Sequence, residues 1–224
     1  MRRFVKQQSL SIVFLALFLA ALGGQAIAGH ADFDEQQLRH GDPEISLSRY
    51  VVSSEFGVDV MENWQSEYLQ FTLFVLLTVW LLQRGSPESK ELDKSGRESD
   101  EEQKVGEHAQ QNSPLWAKVG GIRRTIYENS LLIVMGTMWL GTWFAQSVAG
   151  LSQYNSERLD HHVDAVTWAS YLGRPDFWNR TLQNWQSEFL AVGSMAILAV
   201  YLRQRGSPES KPVGAPHTAT GVEG

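Results

Sequence analysis

The chain contains no cysteine, which excludes disulfide bridges and thiolate metal sites and is compatible with either face of a membrane. It also lacks an excess of basic charge. The 19 Lys and Arg against 25 Asp and Glu leave a net charge of −6, so no general basic surface for nucleic acid is available. No nucleophile elbow, P-loop, H-E-x-x-H or dinucleotide fingerprint occurs. An enzyme therefore has no support in the sequence, and no cofactor is expected. Most informative is a local absence: Leu10–Ala28 carries no charged residue. The slightly negative mean hydropathy conceals this, because a charged middle and a polar tail dilute four strongly apolar segments.

What is present is one stretch written twice. Residues 62–90 read ENWQSEYLQFTLFVLLTVWLLQRGSPESK and residues 183–211 read QNWQSEFLAVGSMAILAVYLRQRGSPESK. Asn63 aligns with Asn184 and Lys90 with Lys211 in one ungapped register. Each copy has a polar-aromatic start, an apolar run and a basic end with an identical tail. The register continues upstream, pairing Ser9-Leu10 with Ser130-Leu131, Gln25 with Gln146, and Ala28-Gly29 with Ala149-Gly150. It also crosses the polar stretch between, where Phe33 matches Tyr154, His40 matches His161, Tyr50 matches Tyr171 and Phe56 matches Phe177.

The N-terminal MRRFVKQQ with Ala26-Ile27-Ala28 would suit a cleaved secretory signal. Its counterpart is internal, however, where no leader is removed, so residues 9–29 read as a retained transmembrane helix. Roughly twenty apolar residues cross the ~30 Å hydrocarbon layer. The uncharged run Tyr68–Leu82 would rise only ~22 Å. Starting at Asn63 and Asn184 restores a full span and sets Trp64 and Trp185 at the interface as anchors. Arg84, Arg203 and Arg205 then snorkel to water at the other end.

These readings predict an all-α integral membrane protein with four transmembrane helices, arranged as two tandem parallel helical-hairpin repeats. Repeat 1 covers 5–90, with spans 9–29 and 63–83 and an outer cap 30–62. Repeat 2 covers 126–211, with spans 129–150 and 184–203 and an outer cap 151–183. The charged linker 91–122 and the tail 212–224 read as disordered, having too little apolar surface to offset ordering entropy. Within the caps, Ser46 and Thr167 are positioned to cap short helices, Gly173 to end one and Pro175 to begin the next. Fourteen of the nineteen basic residues lie in the termini and linker. Both termini and the linker therefore belong in the cytoplasm, with the lipid bilayer as the expected partner and the repeats parallel.

Ala16, Ala20, Gly24 and Ala28 recur every four residues, and their counterparts Thr137, Gly141, Ala145 and Ala149 are also small. Such ridges let helix backbones approach closely, either between the first and third helices or in a homo-oligomer. Depth matching brings Gln25 level with Glu67 and Gln146 level with Glu188. Each pair is expected to hydrogen-bond near the outer leaflet, which lessens the cost of burying a carboxyl group. The glutamates read either as favourable charges near helix N-termini or as part of a solute, ion or proton path. His30, Asp32, Asp34 and Glu35 resemble a hard-metal cluster, but the second copy has Leu151, Gln153, Asn155 and Ser156, so no metal is expected. His40, His161 and His162 fall in the outer loops.

The twin segments NWQSEYL and NWQSEFL, each followed by QRGSPESK, together with Gln25-Ala26-Ile27-Ala28-Gly29, resemble the bacterial membrane-protein family known as domain of unknown function 6766. The resemblance covers nearly the whole chain apart from the linker and tail. It implies a bacterial multi-pass membrane protein with this duplicated layout and carries no activity with it. The residues themselves point to a structural or interaction protein of the envelope. The alternative is a small-solute, ion or proton transporter or channel using the outer-leaflet carboxylates at the repeat interface.

Overall fold

The computed structural model describes residues 2–222, and among them every regular element is helical. In chain order these are α1 (Arg2–Gln7), α2 (Ser9–His40), α3 (Leu47–Tyr50), α4 (Ser54–Leu77), α5 (Leu115–Lys118), α6 (Ile122–Glu128), α7 (Ser130–Asp160), α8 (Trp168–Tyr171) and α9 (Pro175–Tyr201). Two helices, α2 and α7, are long and apolar enough to cross a membrane by length and composition. Both run about ten residues past the ends expected at 29 and 150. A single helical glycine costs only about 1 kcal/mol, and the residues after Gly29 support a helix. Gln36 donates to Asp32 at 2.8 Å and Arg39 to Glu35 at 3.2 Å, both one turn apart. Gly41 then ends α2 with φ +84, its N–H on Leu38 and that of Asp42 on Gln37, a left-handed glycine cap.

Contacts divide the chain into two compact units, Met1–Met61 with Gln146–Tyr171, and Glu62–Ala145 with Leu172–Gly224. The first is centred on two buried tyrosines, Tyr50 and Tyr171, exposed by 2% and 1%. A β-carbon placed on Gly29 would overlap the Tyr50 hydroxyl, and one on Gly150 would lie 2.5 Å from that of Tyr171. The glycines are therefore seats for aromatic rings rather than helix ends. His30, Phe33 and Phe56 pack around Tyr50 at ring-centroid distances of 5.5–5.7 Å. Burial pushes the Tyr50 hydroxyl above its ordinary range, and Asp59, Glu55 and Asp32 add to the effect. Ser46 caps α3 by accepting from Arg49 N at 3.4 Å, and Thr167 accepts from Ser170 N at 3.4 Å. The loops between are pinned from the helices beneath them. Asp34 accepts from Ile45 N at 3.1 Å, while Asn155 bonds both polar backbone atoms of Val166 at 2.8 and 3.0 Å.

The second unit holds α4 from Glu62 on, α7 up to Ala145, α5, α6 and α9. Here α4 stops at Leu77 instead of continuing to about 83. Thr78, Val79 and Trp80 are β-branched or aromatic and lose side-chain freedom in a helix. The Thr78 hydroxyl donates back to Phe74 O at 2.6 Å, and the amides of Trp80 and Leu81 both turn onto Leu77 O. Helix α9 begins with Pro175 in its first turn and ends at Tyr201. The segment 91–122, expected to be disordered, runs as turns with a short 3-10 turn (Gly106–His108) and α5. Arg124 holds it through both Asp100 oxygens at 2.6 and 2.7 Å. The tail is likewise tied down as far as Val222, with Gly221 N on Ser86 O at 3.0 Å and Gly85 N on Thr220 Oγ1 at 2.9 Å. The last two residues of the expected disordered tail lie outside the described residues.

Candidate functional site

The two NWQSE segments meet each other. Along α4 and α9, Ser66 Oγ donates to Glu188 Oε1 at 3.2 Å, and Trp185 Nε1 donates to Gln65 Oε1 at 2.8 Å. Gln65 is fully buried and spends its amide N–H on Glu62 O at 3.1 Å. Arg180 pairs with Glu62 and with Asp176, both at 3.5 Å. Aromatic rings close the same region, with Trp143 stacked between Trp139 and Phe177 at 6.0 Å each and in contact with Trp185 at 5.6 Å. Trp143 Nε1 reaches the buried Thr181 hydroxyl at 3.3 Å. A ring of indoles with one end apolar and one end hydrogen-bonded suits a membrane–water interface.

At the opposite ends of α4 and α9, the two QRGSPESK segments fold into matching loops. Gln83 N and Gln204 N bond Ser89 Oγ and Ser210 Oγ at 3.0 and 2.9 Å. Glu88 N and Glu209 N bond Ser86 Oγ and Ser207 Oγ at 3.3 and 3.2 Å. Serine hydroxyls thus satisfy the backbone where the helix has ended. The loops also bring Glu88 and Glu209 to the border of one space. Next to Glu88, α4 and α9 line a half-open cavity of about 450 Å³ walled by Leu73, Phe74, Leu77, Phe189 and Val192. A second space of about 440 Å³ shares Gln70, Phe74, Val192 and Glu88 and is bordered by Glu209.

The profile of the family described as domain of unknown function 6766 matches residues 1–222, nearly the full chain. The chain belongs to that family. No curated protein and no solved structure matches it.

In this member of the domain of unknown function 6766 family, the residues singled out from sequence are distributed unevenly. Glu67 and Glu188 lie within electrostatic reach of each other. Glu67 is exposed and Glu188 half-buried. Gln25 is exposed, whereas Gln146 is 1% exposed and neither of its amide atoms has a hydrogen-bond partner. Glu188 accepts from the Ser66 hydroxyl. Asn63 is exposed; Asn184 is half-buried and donates to Arg180 O at 2.9 Å. Trp64 and Trp185 are both half-buried. Of the small-residue ridges, Ala16, Ala20, Gly24, Ala28, Thr137 and Gly141 are exposed, and Ala145 and Ala149 half-buried. His30 and Asp34 are occupied structurally, each bonding Ile45.

Glu88 and Glu209, within QRGSPESK, are not among the residues singled out from sequence. The signal was there, since an eight-residue identity outlasts the divergent apolar runs before it. Glu88 is pushed up from the ordinary carboxyl value, first by burial and then by the neighbouring Glu209 carboxyl group. A carboxyl group raised in this way binds its proton more tightly folded than unfolded. Its contribution to stability is whole below the ordinary glutamate value of ~4.3 and is lost as pH rises through the raised value. Apparent melting temperature in detergent is therefore expected to fall as pH rises above the ordinary glutamate value, and Glu88→Gln should flatten that slope. An equal slope in the variant would remove the carboxyl pair from the account.

Proposed function

We propose that the chain is a bacterial inner-membrane protein of four spans, two tandem parallel hairpins with cytoplasmic termini, acting as an interaction protein of the envelope. One observation carries this reading: from Ser9 to Ala21 every residue of α2 is exposed, including Leu10, Phe14, Leu17 and Leu19 at 57–73%. Water does not tolerate such a surface, and a bilayer or a second helix does. The two shorter helices are assigned as spans on their register with the first two and on the interfacial tryptophans. From Asn63, α4 rises ~22 Å and from Asn184 α9 rises ~27 Å, both short of the hydrocarbon layer. Local thinning accommodates a deficit of this size, and the serine-satisfied loops finish each crossing.

In this reading the small-residue ridges are the assembly faces. Gly24 and Gly141 have nothing within 4 Å of where a β-carbon would stand, so leucine fits at either position within one chain. Gly24→Leu with Gly141→Leu is expected to leave the fold intact and shift the protein to a lower oligomeric state on crosslinking in membranes. An unchanged pattern contradicts the assembly role. The transport alternative is favoured by the proximity of Glu67 and Glu188 on the α4–α9 face. It requires carboxylate-dependent flux in proteoliposomes that Glu67→Gln with Glu188→Gln abolishes.

A further inference from the structure

We propose that the cavity between α4 and α9 binds an amphiphilic monocation, its apolar body against Phe74, Leu77, Phe189 and Val192 and its charge at Glu88 and Glu209. This goes beyond the assembly reading and does not depend on it. The cavity volume of about 450 Å³ is in the range of small-molecule sites, which are mostly apolar with a few placed polar groups. Its polar edge is acidic, and Lys90, Lys211 and Arg203 are engaged elsewhere. Lys90 forms an ion pair with Glu98 and donates to Gly96 O at 2.7 Å. Lys211 is 1% exposed and donates to the carbonyls of Pro216, His217 and Ala219 at 2.9–3.3 Å. Arg203 is spent on the carbonyls of Val200, Leu202 and Ala215 at 2.7–3.1 Å, and Arg84 and Arg205 are exposed.

The two carboxyl groups border the same space, and a cation entering it meets both. Phe74 and Phe189 add ring faces that attract a positive charge. A phospholipid chain fits the apolar walls, but its phosphate meets two carboxyl groups of the same sign. Charge complementarity selects the cation.

Gly193 lines the cavity, and a β-carbon there meets nothing within 4 Å. Gly193→Phe therefore fills the space while leaving both carboxyl groups in place. The test is equilibrium dialysis of tetraphenylphosphonium, with neutral triphenylphosphine oxide as the control, against the full chain in dodecyl maltoside. Saturable binding of the cation is expected, weakened about tenfold or more by Glu88→Gln with Glu209→Gln, and abolished by Gly193→Phe. The neutral compound should lose affinity in Gly193→Phe alone. Absence of saturable cation binding overturns the proposal, as does cation affinity unchanged in Gly193→Phe. So does an equal loss for cation and neutral compound in the carboxyl variant. If that variant does not fold, Gly193→Phe decides the matter.

Discussion

Gly150→Ala is expected to destabilise the protein by about 1–3 kcal/mol, the usual cost of forcing extra volume into a packed site. The new methyl group would stand 2.5 Å from the Tyr171 hydroxyl and 3.3 Å from its ring carbon Cζ. The ring cannot swing away, because Tyr171 is 1% exposed and packs on Tyr154 at 5.4 Å. Gly29→Ala should do the same against Tyr50. The control is Tyr171→Phe, which removes the obstructing oxygen. Gly150→Ala should cost markedly less in that background, as coupled neighbours depart from additivity. Apparent melting temperature of the detergent-solubilised protein reads both results. A neutral Gly150→Ala would mean that the glycine is not a ring seat.

The second large effect concerns the meeting of the NWQSE segments. Gln65→Leu keeps roughly the same volume but leaves the Trp185 indole N–H without its acceptor. A buried donor left unpaired costs about 1–3 kcal/mol. Trp185→Phe removes the other partner and leaves the Gln65 carbonyl oxygen unpaired. The double variant should be less destabilised than the sum of the two, by about 0.5–2 kcal/mol. Strict additivity would show that the 2.8 Å contact contributes nothing.

Much of this fold was legible in the sequence, and the reasons it failed elsewhere are specific. The apolar runs of α2 and α7, the cap at Ser46 and the start of α9 at Pro175 all follow from local chemistry. The ring contacts of Gly29 and Gly150 were not legible, because a glycine that admits a ring looks like any other small residue until the ring is placed. The C-terminal end of α4 was overestimated because hydropathy continues through Leu82 while helix propensity does not. Glu88 and Glu209 were hidden inside a loop whose ordered form depends on serine hydroxyls several residues away.

Everything proposed about function rests on the two halves crossing the bilayer in the same sense. The absence of cysteine makes the decisive measurement clean, since a single introduced thiol is the only one to label. Ser48→Cys and Ala165→Cys, both at exposed cap positions, and Gln111→Cys, exposed in the linker, are to be treated with an impermeant maleimide on intact spheroplasts. The account predicts labelling at 48 and 165 without lysis, and at 111 only after it. Labelling at 48 and 165 on opposite sides of the membrane, or at 111 from outside, would contradict it.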